Sequence, residues 1–128
     1  MDPIITNNAP FGIVVWQPVH QDETLTAAAP VTWAAGTLLG RVTASGKLTA
    51  YESGNADGSE TPIAVLQTEV VFTVAGDKVD RPIISGRVRR GDLVAHGVGA
   101  ISDGEADALR SMTIIPQDVA QLGELDNQ

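Results

Sequence analysis

The chain has 128 residues, 43% hydrophobic and 19% charged, which is enough apolar material for one core and too little charge for a wholly disordered chain. Sixteen acids against eight bases leave a formal charge of -8, which disfavours phosphate backbones as partners. The absence of cysteine excludes disulfides, thiolate metal sites and a cysteine nucleophile.

The first 35 residues read as an extended N-terminal arm. They hold three acids (Asp2, Asp22, Glu23), no Lys or Arg, and four of the seven prolines (Pro3, Pro10, Pro18, Pro30), which remove backbone donors. They also hold Phe11, Trp16 and Trp33, three of the five aromatics. Such a segment orders on a partner by strand addition with its rings as anchors, or its tryptophans cap the domain's own core; the sequence leaves both open. The start from Met1 to Pro10 lacks the basic head and apolar run of a signal peptide, and Pro3 to Gln21 is too polar to span a bilayer. The chain reads as soluble, with no membrane partner.

From Gly36 onward short β-type runs alternate with turns. Thr37–Thr43 and Lys47–Glu52 flank Ala44-Ser45-Gly46 and predict a hairpin. A polar loop from Ser53 to Glu60 leads to Pro62 and a β-branched run over Ile63–Val74, with Val70, Val71, Phe72 and Val74 at its centre. Ala75-Gly76-Asp77-Lys78 predicts a turn, Val79–Val88 a strand in which Pro82 implies an edge or entry position, and Gly91-Asp92 a turn into Leu93-Val94-Ala95. Asp103 is the expected cap of a helix carrying Ala106, Ala108, Leu109 and Met112, followed by a short strand Thr113-Ile114-Ile115 that Pro116 stops. The expected architecture is mainly β, a small compact barrel-like or sandwich-like domain with one short C-terminal helix. Its expected divisions are the arm (1–35), a β-rich core (36–116) and an acidic tail (117–128).

Little in the chain assembles into chemistry. Gly40 to Thr49 mimics a phosphate loop but has five residues between Gly40 and Gly46 and places Leu48 where a metal-binding hydroxyl belongs. Only two histidines exist: His20 falls in the arm, where nothing rigid is expected to hold it, and His96 sits in a glycine-flanked turn. Asp103, Glu105 and Asp107 are accounted for by helix capping and are too closely spaced for a calcium loop. Arg87 and Arg89 share one strand face without a stacking aromatic, and Arg90-Gly91-Asp92, although an adhesion tripeptide, is an ordinary turn. The reading is of no enzyme, no cofactor and no metal.

An ordered series of features in the core resembles the head decoration proteins of tailed bacteriophages, lambda type. It runs from Ala35-Gly36-Thr37-Leu38-Leu39-Gly40-Arg41-Val42-Thr43 through Gly46-Lys47-Leu48, Tyr51, Asp57-Gly58-Ser59 and Pro62-Ile63-Ala64-Val65-Leu66. It continues with Val79, Gly86-Arg87-Val88 and Leu93, and ends at Ala108-Leu109-Arg110 before Ile114-Ile115. The resemblance implies a β-tulip-like fold and a homotrimer that binds the three-fold and quasi-three-fold sites of an expanded capsid and cements it. It further implies an N-terminal arm pairing with the major capsid protein, with no direct nucleic-acid contact. The protein would be made in the host cytoplasm and carried on the virion's outer surface. Phe11, Ile13, Val15, Trp16 and Trp33 are the expected capsid-binding anchors. The rival reading is a glycan- or host-surface-binding β module, for which only Tyr51 and Phe72 offer aromatic rings on the core.

Overall fold

The computed structural model describes residues 15–117. Twelve strands and one helix are found among them: β1 (Val15–His20), β2 (Glu23–Ala27), β3 (Val31–Trp33), β4 (Leu38–Arg41), β5 (Leu48–Ala50), β6 (Ala64–Val65), β7 (Val70–Phe72), β8 (Gly76–Asp80), β9 (Ile83–Arg89), β10 (Val94–Ala95), β11 (Gly99–Ala100), α1 (Asp103–Ser111) and β12 (Ile114–Gln117). The fold is mainly β, as expected, and its principal sheet curls into a half-barrel. That sheet runs β1-β9-β6-β4-β5-β2-β8, with β12 added parallel to β9.

The predicted hairpin is present as antiparallel β4 and β5, turned by Gly46 at φ +75°, a conformation that glycine adopts without a Cβ clash. Because strand side chains alternate, the two faces of β4 and β6 feed two separate cores. Leu38 and Val65 pack with Val15, Ile83, Val88, Leu93, Ala106, Leu109 and Ile114, which places the helix and the β1–β9–β12 ladder on one side. Leu39 and Ala64 pack with Leu48 and Leu66 beneath Leu25, Trp33, Val70 and Phe72 on the other. The second cover is a long antiparallel ribbon: β2 pairs β8 from Glu23↔Asp80 to Ala27↔Gly76, and β3 pairs β7 from Val31↔Phe72 to Trp33↔Val70.

This ribbon corrects the expected boundary of the arm. Residues 15–33 lie within strands or the turns between them, and Leu25, Ala27 and Trp33 are core residues at 0%, 6% and 2% exposure. The prolines did not prevent this because each falls where the ladder is already interrupted: Pro18 at an irregularity in β1, Pro30 at the corner between β2 and β3. The β-branched run over Ile63–Val74 is likewise two strands, β6 and β7, in different sheets. Pro82 divides the run at Val79–Val88 between β8 and β9.

At the C-terminal end the helix cap is Ser102, one residue before the expected Asp103. Its Oγ accepts from the Glu105 N–H at 3.2 Å while Glu105 Oε1 accepts from the Ser102 N–H at 2.8 Å, a reciprocal capping box. Pro116 does not stop the last strand: it pairs with Val88 inside β12, because that strand lies on an edge of β9 where a missing donor is tolerated.

One half-buried ion pair ties the ribbon to the hairpin. Glu23, its side chain 9% exposed, receives both Arg41 guanidinium nitrogens at 3.1 and 3.0 Å, and Arg41 also donates to the Gly46 carbonyl at 2.7 Å. Hydrogen bonding from Arg41 holds the Glu23 carboxyl below its ordinary range; burial opposes this, and the charge of Arg41 and the Gln21 amide reinforce it. A carboxyl depressed in the folded state contributes stability above the unfolded-state pKa and loses it as pH falls through the folded value. Wild type should therefore exceed Glu23→Gln by about 1 kcal/mol near neutral pH, with the gap closing in acid. Denaturant midpoints measured from pH 7 to pH 2 check this, and a gap independent of pH would overturn it.

Candidate functional site

The chain enters and leaves the described domain at one end of β9. Val15, the first described residue, pairs with Val88, and Gln117, the last, pairs with Arg89, on opposite sides of that strand. Residues 1–14 and 118–128 therefore connect at a common pole. Phe11 and Ile13 lie outside the described residues, so only Val15, Trp16 and Trp33 of the expected anchors can be placed.

The structure separates these three. Val15 points inward at 3% exposure and packs in the same core as Val88 and Ile114. Trp33 is also interior, its ring edge-on to Phe72 with centroids 5.0 Å apart. Of the two roles open to Trp33, capping its own core is the one observed, and as a free-arm anchor it is corrected. Trp16 alone faces outward and is half-buried. It pairs with Arg87, which pairs in turn with Ile115, so an aromatic, a guanidinium and an aliphatic side chain cross the outer face of three strands in one row. Sequence reasoning placed Arg87 on a strand face without an aromatic beside it and so missed this row, because pairing of β9 with β1 and, across an intervening helix, with β12 leaves no local signal.

Beside this row lies a line of unusual backbone. Gln17 has φ +51°, Gly86 φ +127° and Thr113 φ +66°, and the three are neighbours across the ladder. Gly86 N–H donates to Thr113 O at 3.0 Å, and a Cβ placed on Gly86 would lie 2.9 Å from Gln17 O and from Pro18 Cα. The β1–β9 register shifts between Trp16 and Val19 at this point. A left-handed non-glycine residue is costly by about 1–3 kcal/mol, and more so before a proline, where helical backbone is disfavoured. Burying one valine side chain such as Val15 gains roughly 1.5–3 kcal/mol. Beyond the irregularity His20 is held, contrary to expectation: its Nε2–H donates to Gln67 Oε1, and it pairs with Ile83.

The remaining candidates are structural. Arg89 pairs with Asp92 at 2.9 Å and Arg90 with Asp103 at 2.8 Å, so the Arg90-Gly91-Asp92 turn has both charged side chains engaged. Asp57-Gly58-Ser59 clasps the hairpin: Ser59 is fully buried, its Oγ donates to Asp57 Oδ1 at 2.6 Å and accepts from Asn55 Nδ2 at 2.8 Å, and Thr43 N–H donates to Asp57 O at 2.8 Å.

Two adjoining surface grooves of about 420 and 390 Å³ share Tyr51, Ser53 and Glu105, and His96 lines the first. Burial, with the Glu105 carboxylate beside it, pushes the Tyr51 hydroxyl up to about 12, while the Ser53 hydrogen bond opposes the shift. Glu105 is engaged by Tyr51 and by the Ser102 N–H, so the groove holds a helix cap where a hydrolase would need an oriented base. Tyr51 and Phe72 are buried at 6% and 3%, which withdraws the two aromatic rings on which a glycan platform would rest. Among the described residues no group of His, Cys, Asp and Glu is placed to hold a metal ion, and no helix is long and apolar enough to cross a membrane.

These features define a class: a β-sheet structural domain whose polar clusters serve capping and clasping. The family model of the bacteriophage lambda head decoration protein D matches residues 11–112, and the chain belongs to that family. The family is structural, not enzymatic, and it places the chain with the virion capsid. Searches of curated proteins and of solved structures each returned no match.

Proposed function

We propose that the protein is a cement protein that binds as a homotrimer at the three-fold and quasi-three-fold positions on the outer surface of a tailed-phage capsid and stabilises the expanded shell. The observation that carries this is the family match over residues 11–112, four-fifths of the chain. The partner is the major capsid protein, contacted by the segment up to Trp16, with Phe11, Ile13 and Trp16 as anchors. Two features support the direction of contact. Both chain ends meet the domain at the pole beside Trp16 and Arg87. All net charge lies outside residues 36–102, where seven acids balance seven bases, so close packing of copies about an axis meets no net repulsion. Three tethered arms on one trimer engage at high effective concentration, which converts a weak strand contact into firm attachment.

Removing residues 1–14 is expected to leave a folded protein of unchanged oligomeric mass that no longer co-sediments with expanded capsids. Sedimentation velocity and capsid pelleting read the two properties separately. Undiminished decoration by the truncated chain would refute the arm's role, and a monomer that ignores capsids in the full-length form would refute the whole reading.

A further inference from the structure

We infer that Gln17–Pro18 is a hinge on which the Val15–Trp16 end of β1 swings away from β9 while Val19–His20 stays in place. The ladder is interrupted at these two residues: the register shifts between Trp16 and Val19, and again between Val19 and His20, Gln17 is left-handed in front of a proline, and Pro18 has no N–H to give to β9. The two sides of the interruption are held unequally. Inward of it, Val19 and His20 pair with Ser85 and Ile83, and the His20 ring is tied to the Gln67 side chain. Outward of it, two pairings remain, Val15↔Val88 and Trp16↔Arg87, and Val15 alone reaches the core.

The strain carried at Gln17 offsets much of the burial gained by Val15, which leaves the outer end the more weakly held part of β1. Gly86 completes the device. Backbone of β1 passes so close that any side chain at position 86 would press it outward, and glycine is what lets the closed form exist. Release frees the Trp16 ring and its backbone groups together, lengthening the segment able to add to a partner strand. The inference thus deepens the arm reading, but it concerns the free protein and is tested there.

Amide hydrogen exchange on the full chain is expected to show a step within β1. Val15 and Trp16 exchange fast, and Val19 and His20 slowly, while β4 provides the global reference. Gln17→Gly removes the left-handed strain and should slow exchange at Val15 and Trp16 roughly fivefold, leaving β4 unchanged. Gly86→Ala should act in the opposite direction and raise acrylamide quenching of Trp16, with Trp33 shielded in the core. Uniform protection along β1, or exchange at Trp16 indifferent to Gln17→Gly, overturns the hinge. Capsid binding plays no part in these measurements. A protein that shows the step but fails to decorate shells would count against the proposed function and leave the hinge standing.

Discussion

Gly40→Ala will unfold the domain or leave it barely folded at room temperature, although it adds a single methyl group. Gly40 has no positive φ in its favour; what it provides is space. A Cβ at this position would stand 2.5 Å from Ser59 O, 2.6 Å from Ser59 Cα and 2.8 Å from its carbonyl carbon, all backbone atoms that cannot rotate aside. Nor can the loop retreat easily. Ser59 is buried and hydrogen-bonded to Asp57 and Asn55, and Gly58, at φ +107°, fits against Arg41 O and Thr43 Oγ1, where its own Cβ would come within 2.4 Å of each. Overpacking of a yielding core costs about 1–3 kcal/mol, and a clash of backbone on backbone within a locked loop exceeds that, against a total stability of about 5–15 kcal/mol. Thermal unfolding followed by circular dichroism checks the expectation. A midpoint within a few degrees of wild type would show that the Asp57-Gly58-Ser59 clasp is looser than its hydrogen bonds imply.

The second large effect separates the two tryptophans. Trp33→Ala should cost about 3–5 kcal/mol, as truncation of a buried aromatic does, and lower the melting midpoint by roughly 15 °C or more. The ring is 2% exposed, stands edge-on to Phe72, and shares its cluster with Leu25, Leu39 and Val70, none of which can fill the space from a fixed strand. Trp16→Ala should cost clearly less than this, since its side chain is only partly buried and belongs to neither core cluster. Below its melting midpoint Trp33→Ala should still bind capsids, whereas Trp16→Ala should weaken binding with little change in stability. The reverse pattern would restore Trp33 to the arm and remove Trp16 from it.

These two residues also show what a one-dimensional reading could and could not resolve. The hairpin about Gly46 was legible because strand, turn and strand are contiguous and the turn residue is dictated by backbone geometry. The helix was legible within one residue, and the shift from Asp103 to Ser102 reflects a choice between adjacent capping residues that the reciprocal bond with Glu105 decides. The extent of the arm was misread because prolines and a lack of charge describe two different things equally well: a segment without partners, and a ribbon whose partners lie more than 40 residues away. Val31↔Phe72 and Leu25↔Lys78 are such pairings. The candidate site was legible in part: Trp16 was named as an anchor and Arg87 as an exposed strand residue, while the pairing that sets Trp16, Arg87 and Ile115 in one row was not.

The class of molecule was readable from the residues alone: a β domain with a neutral middle, acidic ends and no residues arranged for catalysis. Composition, turn chemistry and an ordered series of short motifs are local properties, and local properties survive being read in one dimension. Folding in three dimensions settles which aromatic is buried, why Gly40 and Gly86 admit no side chain, and that Val15 and Gln117 flank the same end of β9. Each of those depends on segments separated along the chain being brought within a few ångströms by strand pairing and packing.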